Sequence, residues 1–310
     1  MGAITIVAAD ETVLAERERL VAGLAEFLPS EALITDAHEL VPYETDGFTA
    51  YSRVPLAVVL PSTTEEVSSI LAFCHREGVP VVPRGAGTSL AGGAIPNTDC
   101  VVMGIAKMNR MLEVDYANRA ARVQAGITNI AISQHIAEDG FFYAPDPSSQ
   151  LACTIAGNIA MNAGGAHCLK YGVTTNNLLG VTLVMADGTV VELGGAHLDS
   201  AGYDLLGLVC GSEGQLGVVT EATVRILPLA EGARPVLFGF TSSEAAGACV
   251  AEVLGNGIVP VAIEFMDKPA IEITESFAHA GYPLDAEAML IVEVEGSDEE
   301  MDAALARIIE

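Results

Sequence analysis

The chain has 310 residues, 51% of them apolar, and a formal charge of −27 from 14 basic and 41 acidic side chains. That length allows a sizeable core and about two domains, and the charge balance excludes nucleic acid as a partner, because phosphate contacts need clustered Lys and Arg. No apolar run approaches the roughly 18 residues needed to span a bilayer, and the N-terminus lacks the basic start and apolar core of a secretion signal. A cytoplasmic protein is expected, with any contact at the inner face of a membrane made through a partner.

Leu14, Leu20, Val21, Leu24, Phe27 and Leu28 recur at helical spacing, which predicts a helix over 11–28 that stops at Pro29. Residues 54–60 read as a strand. Ser62 and Glu65 have the spacing of a capping box, and Val67, Ile70, Leu71 and Cys74 then form one helical face that closes at Gly78. The apolar run 79–82 is a further strand, so the chain opens strand, helix, strand, as α/β folds do.

Next comes Pro83-Arg84-Gly85-Ala86-Gly87-Thr88-Ser89-Leu90-Ala91-Gly92-Gly93, with four glycines in nine residues. Glycine allows positive φ and close approach of the backbone to a ligand, and successive N–H groups in such a loop form an anion-binding concavity. The chain has only three lysines, Lys107, Lys170 and Lys268. An anion must therefore be held mainly by backbone dipoles, helped by a cation such as Arg84.

Strands are expected at 101–105 and 121–125, and Thr128 heads a helix ending before Gly140. Pro145-Asp146-Pro147-Ser148-Ser149 is a rigid turn, and Thr154 to Ala163 reads as a short helix rich in small residues. Strands at 179–185 and 189–193 are joined by Asp187-Gly188, a two-residue hairpin signal. A short helix over 203–209, the glycine segment Gly211–Gly217 and a strand over 218–227 follow. Beyond a boundary near 229–235 the order is strand (236–240), helix (243–254), strand (261–266), helix (268–279), strand (289–295) and helix (298–310), the last headed by a Ser297/Glu300 capping box.

Two phosphate motifs fail. Counted from Gly85, the sixth position of G-x-G-x-x-G is Leu90, and no Gly-Lys-Ser/Thr ending follows. The cysteines (Cys74, Cys100, Cys153, Cys168, Cys210 and Cys249) include no C-x-x-C pair and read as buried reduced thiols. His38, His75, His135, His197 and His279 share no metal-ligand spacing, and surface or core placement is expected for each. His167 and Cys168, beside the Gly164-Gly165 turn, fit either packing of that turn or a place near a cofactor.

Pro83–Gly93, Tyr143–Ser149, Asn162–Gly172 and Gly211–Thr220 together resemble the vanillyl-alcohol oxidase/PCMH flavoproteins. Within that superfamily the likeness is to the FAD-linked subunits of bacterial glycolate oxidases, near the D-lactate and D-2-hydroxyglutarate dehydrogenases. The resemblance runs from about residue 40 to 310. It implies an α+β protein with an N-terminal helical segment (1–50), a PCMH-type FAD-binding domain of two α/β subdomains (51–230) and the start of a ferredoxin-like cap domain (231–310).

The resemblance also implies roles. Arg84, Gly85, Ala86, Gly87, Thr88, Ser89, Gly93 and Ala94 would cradle the pyrophosphate of FAD. Pro145, Asp146, Thr154, Gly157, Asn158 and Gly164 would line the flavin and ribityl part, and Glu213 and Val219 would lie by the adenine or a subdomain wall. Thr88 and Ser89 stand where some members tether FAD through a histidine, so non-covalent FAD is expected. The implied reaction oxidises a small 2-hydroxy acid (glycolate or D-lactate) to the 2-oxo acid; a catalytically incomplete FAD-binding chain or a D-2-hydroxyglutarate dehydrogenase-like enzyme are the alternatives. Electrons would leave to iron–sulfur and second flavin-type subunits. The family's histidine-based metal site and Glu-His-Gly segment do not occur before Glu310, so catalytic residues are expected beyond these positions and no metal ligands among them. Arg84 or Lys170 would otherwise be the cation for a substrate carboxylate.

Overall fold

The computed structural model describes residues 8–196 and 202–310; His197 lies outside them. Two compact units emerge. The first comprises residues up to Tyr143, Ser148–Ala163 and Asn177–Leu227, and the second Ala144–Pro147, Gly164–Asn176 and Pro228–Glu310.

The first unit begins with α1 (Glu11–Ala15) and α2 (Arg17–Leu24). The single helix expected over 11–28 is broken at Glu16, whose backbone (φ −96°, ψ 10°) has left the helical region. Leu20 and Leu24 still reach the core. After β1 (Leu33–Ile34) and α3 (Ala37–Leu40), the chain runs through β2 (Ala57–Val59), α4 (Thr64–Glu77), β3 (Val81–Arg84) and β4 (Val101–Gly104). These strands form a sheet in the order β1-β2-β4-β3. β4 lies parallel to both β2 and β3, and β1 is antiparallel to β2. Val58, Val59, Val101, Val102 and Met103 are fully buried, as a sheet covered on both faces requires.

α4 shows how local chemistry fixes the element before the glycine loop. Val67, Ile70, Leu71, Phe73 and Cys74 are buried. Gly78 ends the helix at φ 69°, a left-handed cap that glycine takes without strain. The capping box expected at Ser62/Glu65 is displaced by one residue. Thr63 holds the extended backbone of the N-cap and accepts from the Glu66 N–H. The Glu66 carboxylate in turn accepts from the backbone N–H of Ser62 (2.6 Å). Burial pushes the Cys74 thiol up to about 12, so it is inert in the core.

The other sheet of this unit is antiparallel, in the order β5-β6-β10-β8-β9. It comprises β5 (Met111–Asp115), β6 (Ala120–Gln124), β8 (Leu178–Val184), β9 (Val190–Gly194) and β10 (Val218–Arg225). Between β6 and β8 lie α5 (Asn129–Ile136), β7 (Phe141–Phe142), α6 (Ile155–Met161), α7 (Cys168–Tyr171) and α8 (Thr174–Asn177); α9 (Leu205–Val209) precedes β10. β5 is absent from the sequence reading, because an edge strand with exposed Leu112 and Glu113 lacks a clean alternation. The β8–β9 hairpin turns at Gly188 (φ 87°) as expected. Ser68 of α4 donates to the Gly188 carbonyl (2.6 Å), which ties the hairpin to the helix.

β11 (Leu227–Pro228) precedes the second unit's β12 (Gly232–Phe240), α10 (Ser243–Gly255), β13 (Ala262–Asp267), α11 (Lys268–Ala278), β14 (Ala288–Gly296) and α12 (Asp298–Ile309). β14 is central and antiparallel to both β12 and β13, the order expected of the opening of a ferredoxin-like sandwich. Ala288, Leu290, Val292 and Val294 pack with Ala246 and Val253 of α10 and Met301 and Ile308 of α12. The alternate residues, Met289, Ile291, Glu293 and Glu295, belong to the opposite face. The Ser297/Glu300 capping box is present in full. None of the six cysteines is in a disulfide; three are buried and three half-buried.

Candidate functional site

β3 runs straight into the glycine loop, and the loop forms one wall of a cavity of ≈ 350 Å³ in the first unit, a size typical of small-molecule sites. Among the described residues, no backbone acceptor takes up the N–H groups of Gly85, Ala86, Gly87, Thr88 or Ser89. Five consecutive donors without a backbone acceptor beside a cavity are groups that an anion can satisfy.

The glycines are needed for space as well as conformation. Gly87 lies at φ 71°. A Cβ added to Gly85 would overlap the Thr154 hydroxyl, and one on Gly87 would overlap the Arg84 guanidinium. Arg84 is committed to the loop itself. Its Nη1 donates to the carbonyls of Thr45 (2.7 Å) and Ala94 (3.5 Å), and its guanidinium lies 5.8 Å from the Tyr43 ring centroid. Burial holds its pKa below the usual arginine value, partly offset by Asp46.

The opposite wall is the start of α6. The Thr154 hydroxyl accepts from the Gly157 N–H (3.3 Å). Asn158, 2% exposed, accepts from the Asn129 amide (3.1 Å) and donates to Cys153 Sγ (3.2 Å). Main-chain bonds from Asn129 to Cys153 and from Ile155 to Ile127 join the beginnings of α5 and α6. The third wall is the turn after α9, where Glu213 adopts φ 55° and donates its N–H to Ala160 O (2.8 Å). For a side chain of this size that backbone is strained.

Of the residues singled out in the sequence, Arg84–Ser89, Gly93, Ala94, Thr154, Gly157, Asn158, Glu213 and Val219 line this one cavity. Pro145, Asp146 and Gly164 do not; they belong to the second unit. There the Asp146 carboxylate accepts from the backbone N–H of His167 (3.1 Å) and pairs with its ring. Pro83, Leu90, Ser149, Ala156, Ile159–Met161, Ala163, Ser212, Gly214, Gly217 and Val218 lie within the segments singled out in the sequence but carry no role there, and Ile105, Cys153 and Val209 lie outside them; together they complete the lining. Ala156 and Ala160 sit inside the small-residue helix that was singled out. Ile105 and Val209, at the ends of elements, carry no local signal.

Residues 55–194 match the family of FAD binding domains, and residues 230–310 the C-terminal domain of FAD linked oxidases. The chain carries these two matches in that order. It is 48% identical over 293 residues to the glycolate oxidase subunit GlcD of Escherichia coli K12, which covers 94% of this chain and 59% of that protein. It is 39% identical over 267 residues to the GlcD subunit of Bacillus subtilis (86% and 57%) and 41% over 249 residues to the D-lactate dehydrogenase of Archaeoglobus fulgidus (80% and 56%). The chain thus spans less than two thirds of the length of these relatives. Among solved structures, an alkyldihydroxyacetonephosphate synthase superposes with a TM-score of 0.84 at 20% identity, covering 94% of this chain and 58% of that one. A p-cresol methylhydroxylase gives 0.81 at 17% identity, covering 97% and 64%. Both show the fold.

FAD is the cofactor of this family's binding domain, and the cavity fits it. The unpaired loop amides suit a diphosphate, the two glycines let the loop pack closely on Thr154 and Arg84, and Ile105, Ile159, Val209 and Val218 supply apolar wall for a ring system. Among the described residues no helix is long and apolar enough to cross a membrane.

Proposed function

We propose that this chain is the flavin-bearing part of a dehydrogenase that oxidises a small 2-hydroxy acid, glycolate or D-lactate, to its 2-oxo acid. The observation that carries the reading is the row of unpaired N–H groups at Gly85–Ser89 on a cavity otherwise walled by small and apolar residues. When bound, FAD supplies the acceptor for the hydride. The loop amides hold the diphosphate, with Gly93 and Ala94 at the far end of the same loop. Thr154, Gly157 and Asn158 line the middle of the cavity, and Glu213 and Val219 its remaining wall. Thr88 and Ser89 offer no ring nitrogen for a covalent tether, so FAD is held by non-covalent contacts.

Neither candidate cation for a substrate carboxylate is uncommitted. Arg84 is bonded to two carbonyls, and Lys170 to Glu295 (2.7 Å). Neither is therefore assigned to the substrate carboxylate. The relatives named as subunits support partner chains, and we assign electron transfer to iron–sulfur and second flavin-type subunits.

The test is an absorbance spectrum of the purified chain after incubation with FAD, FMN or riboflavin. Uptake of FAD with rejection of riboflavin is expected, because only the dinucleotide has the diphosphate. Equal uptake of all three would remove the loop from the binding site. Anaerobic glycolate, D-lactate and D-2-hydroxyglutarate, added to the FAD-loaded chain together with its partner subunits, then assign the substrate by which one bleaches the flavin.

A further inference from the structure

The segment Gly164–Gly172 was singled out in the sequence and lines no part of the cavity beyond Ala163. Within the second unit it does something specific. Gly165 makes room for the carbonyl oxygen of Asp146, which an added Cβ would overlap. Its N–H donates to Cys168 Sγ (2.8 Å), and this turn aims His167 at one carboxylate twice. The backbone N–H of His167 meets Asp146 Oδ1 (3.1 Å), and ring Nδ1 meets Oδ2 (2.7 Å). On the other side of the ring, Nε2 lies 3.7 Å from Glu293 Oε2 of β14.

Three residues along, Lys170 donates to Glu295 Oε1 (2.7 Å), and the Tyr171 hydroxyl donates to the same oxygen. Glu293 and Glu295 are two apart on β14 and so share a face, opposite the buried Val292 and Val294. α7 therefore presents two basic side chains to two carboxylates spaced on one strand. Asp146 stands as a third carboxylate behind the histidine.

We propose that His167 and Lys170 form a two-point clasp fastening segments 144–147 and 164–172 to β14, with Lys170 as the permanent point and His167 as the point operated by a proton. A neutral imidazole can donate from one nitrogen only, so it satisfies Asp146 and leaves Glu293 facing a lone pair. A protonated ring donates from both nitrogens and neutralises part of a cluster of three carboxylates. The charged groups facing the clasp are Asp146, Glu293 and Glu295, with the phenol of Tyr171; Glu300 of α12 adds a weaker field at Lys170.

The hydrogen bond that the His167 ring donates to Asp146 raises the His167 pKa above the ordinary histidine value; burial opposes this and Glu293 adds to it. A group whose folded-state pKa is raised stabilises the fold fully below its unfolded value, and that stabilisation is lost as pH rises through the folded value. The histidine point is thus closed in mild acid and opens on the alkaline side of ordinary histidine titration.

The test uses the full chain. Ring-proton NMR titration, with the His167 signal assigned by its absence in His167→Gln, is expected to place His167 above the ordinary range. Asp146→Asn and Glu293→Gln are each expected to move that titration to lower pH. Unfolding midpoints between roughly pH 5 and 9 are expected to fall with rising pH in the parent more than in His167→Gln. Should His167→Gln not fold, the Glu293→Gln titration carries the test alone. A His167 titration at or below the ordinary value, or one indifferent to both carboxylate substitutions, would overturn the proposal. So would an identical pH dependence of stability in parent and His167→Gln.

Discussion

In the first unit the cavity is bounded by main chain and small or apolar side chains, with Gly85–Ser89 along one wall and the lining arginine, Arg84, bound into the loop. In the second unit the surface between α7 and β14 is built of charged side chains, His167 and Lys170 against Asp146, Glu293 and Glu295. Amides do not titrate and carry no mobile counter-ion, so an amide-lined site keeps its affinity for an anion across pH even in a molecule of charge −27. A cluster of charged side chains is sensitive to protons and to salt. Added atoms should therefore break the packed turns of both regions, while only the second should respond, more weakly, to removal of charge.

The largest effect is expected where an added atom meets backbone. Gly165→Ala places a Cβ on the Asp146 carbonyl, and since neither chain segment can yield cheaply, a loss of about 3 kcal/mol is expected in denaturant unfolding. A near-neutral result would mean that the turn under His167 is less tightly built than the geometry indicates. Gly85→Ala should cost less, about 2 kcal/mol, because what it meets is the Thr154 side chain. Thr154→Ala alone removes a helix cap at a cost of about 1 kcal/mol. Combined with Gly85→Ala it should cost less than the sum, because the clash partner is gone. Strict additivity would break the steric account of the loop.

Ser297→Ala removes half of a complete capping box on α12 and should cost about 1 kcal/mol. It should leave FAD uptake unchanged, since Ser297 belongs to the second unit and lines no part of the cavity. The smallest effect is expected for Lys170→Gln. The Lys170–Glu295 pair is partly exposed, so its loss should cost below about 1 kcal/mol and the difference from the parent should vanish at high salt. A large, salt-independent loss would show that the lysine acts through packing of its stem.

Much of this was legible in order along the chain. Elements with strong periodicity and clear stops, such as α4 with its five buried apolar residues and its Gly78 cap, follow from local chemistry, and so does the hairpin at Asp187-Gly188. The capping residue slipped by one because Ser62/Glu65 and Thr63/Glu66 have the same spacing, and only the backbone angles at Thr63 choose between them. β5 was illegible because its partner, not its own pattern, makes it a strand.

The sequence by itself determined that a glycine loop follows a buried strand, that lysine is too scarce to hold an anion, and which family these segments resemble. Those are properties of neighbours in the chain. Only the tertiary structure decided that Arg84 turns back to the Thr45 and Ala94 carbonyls, that Asn129 supports Asn158, and that Asp146 and Glu293 meet on one histidine. Those groups lie 10 to 126 positions apart in sequence, and such separations are bridged by packing of whole elements, which no short-range spacing records.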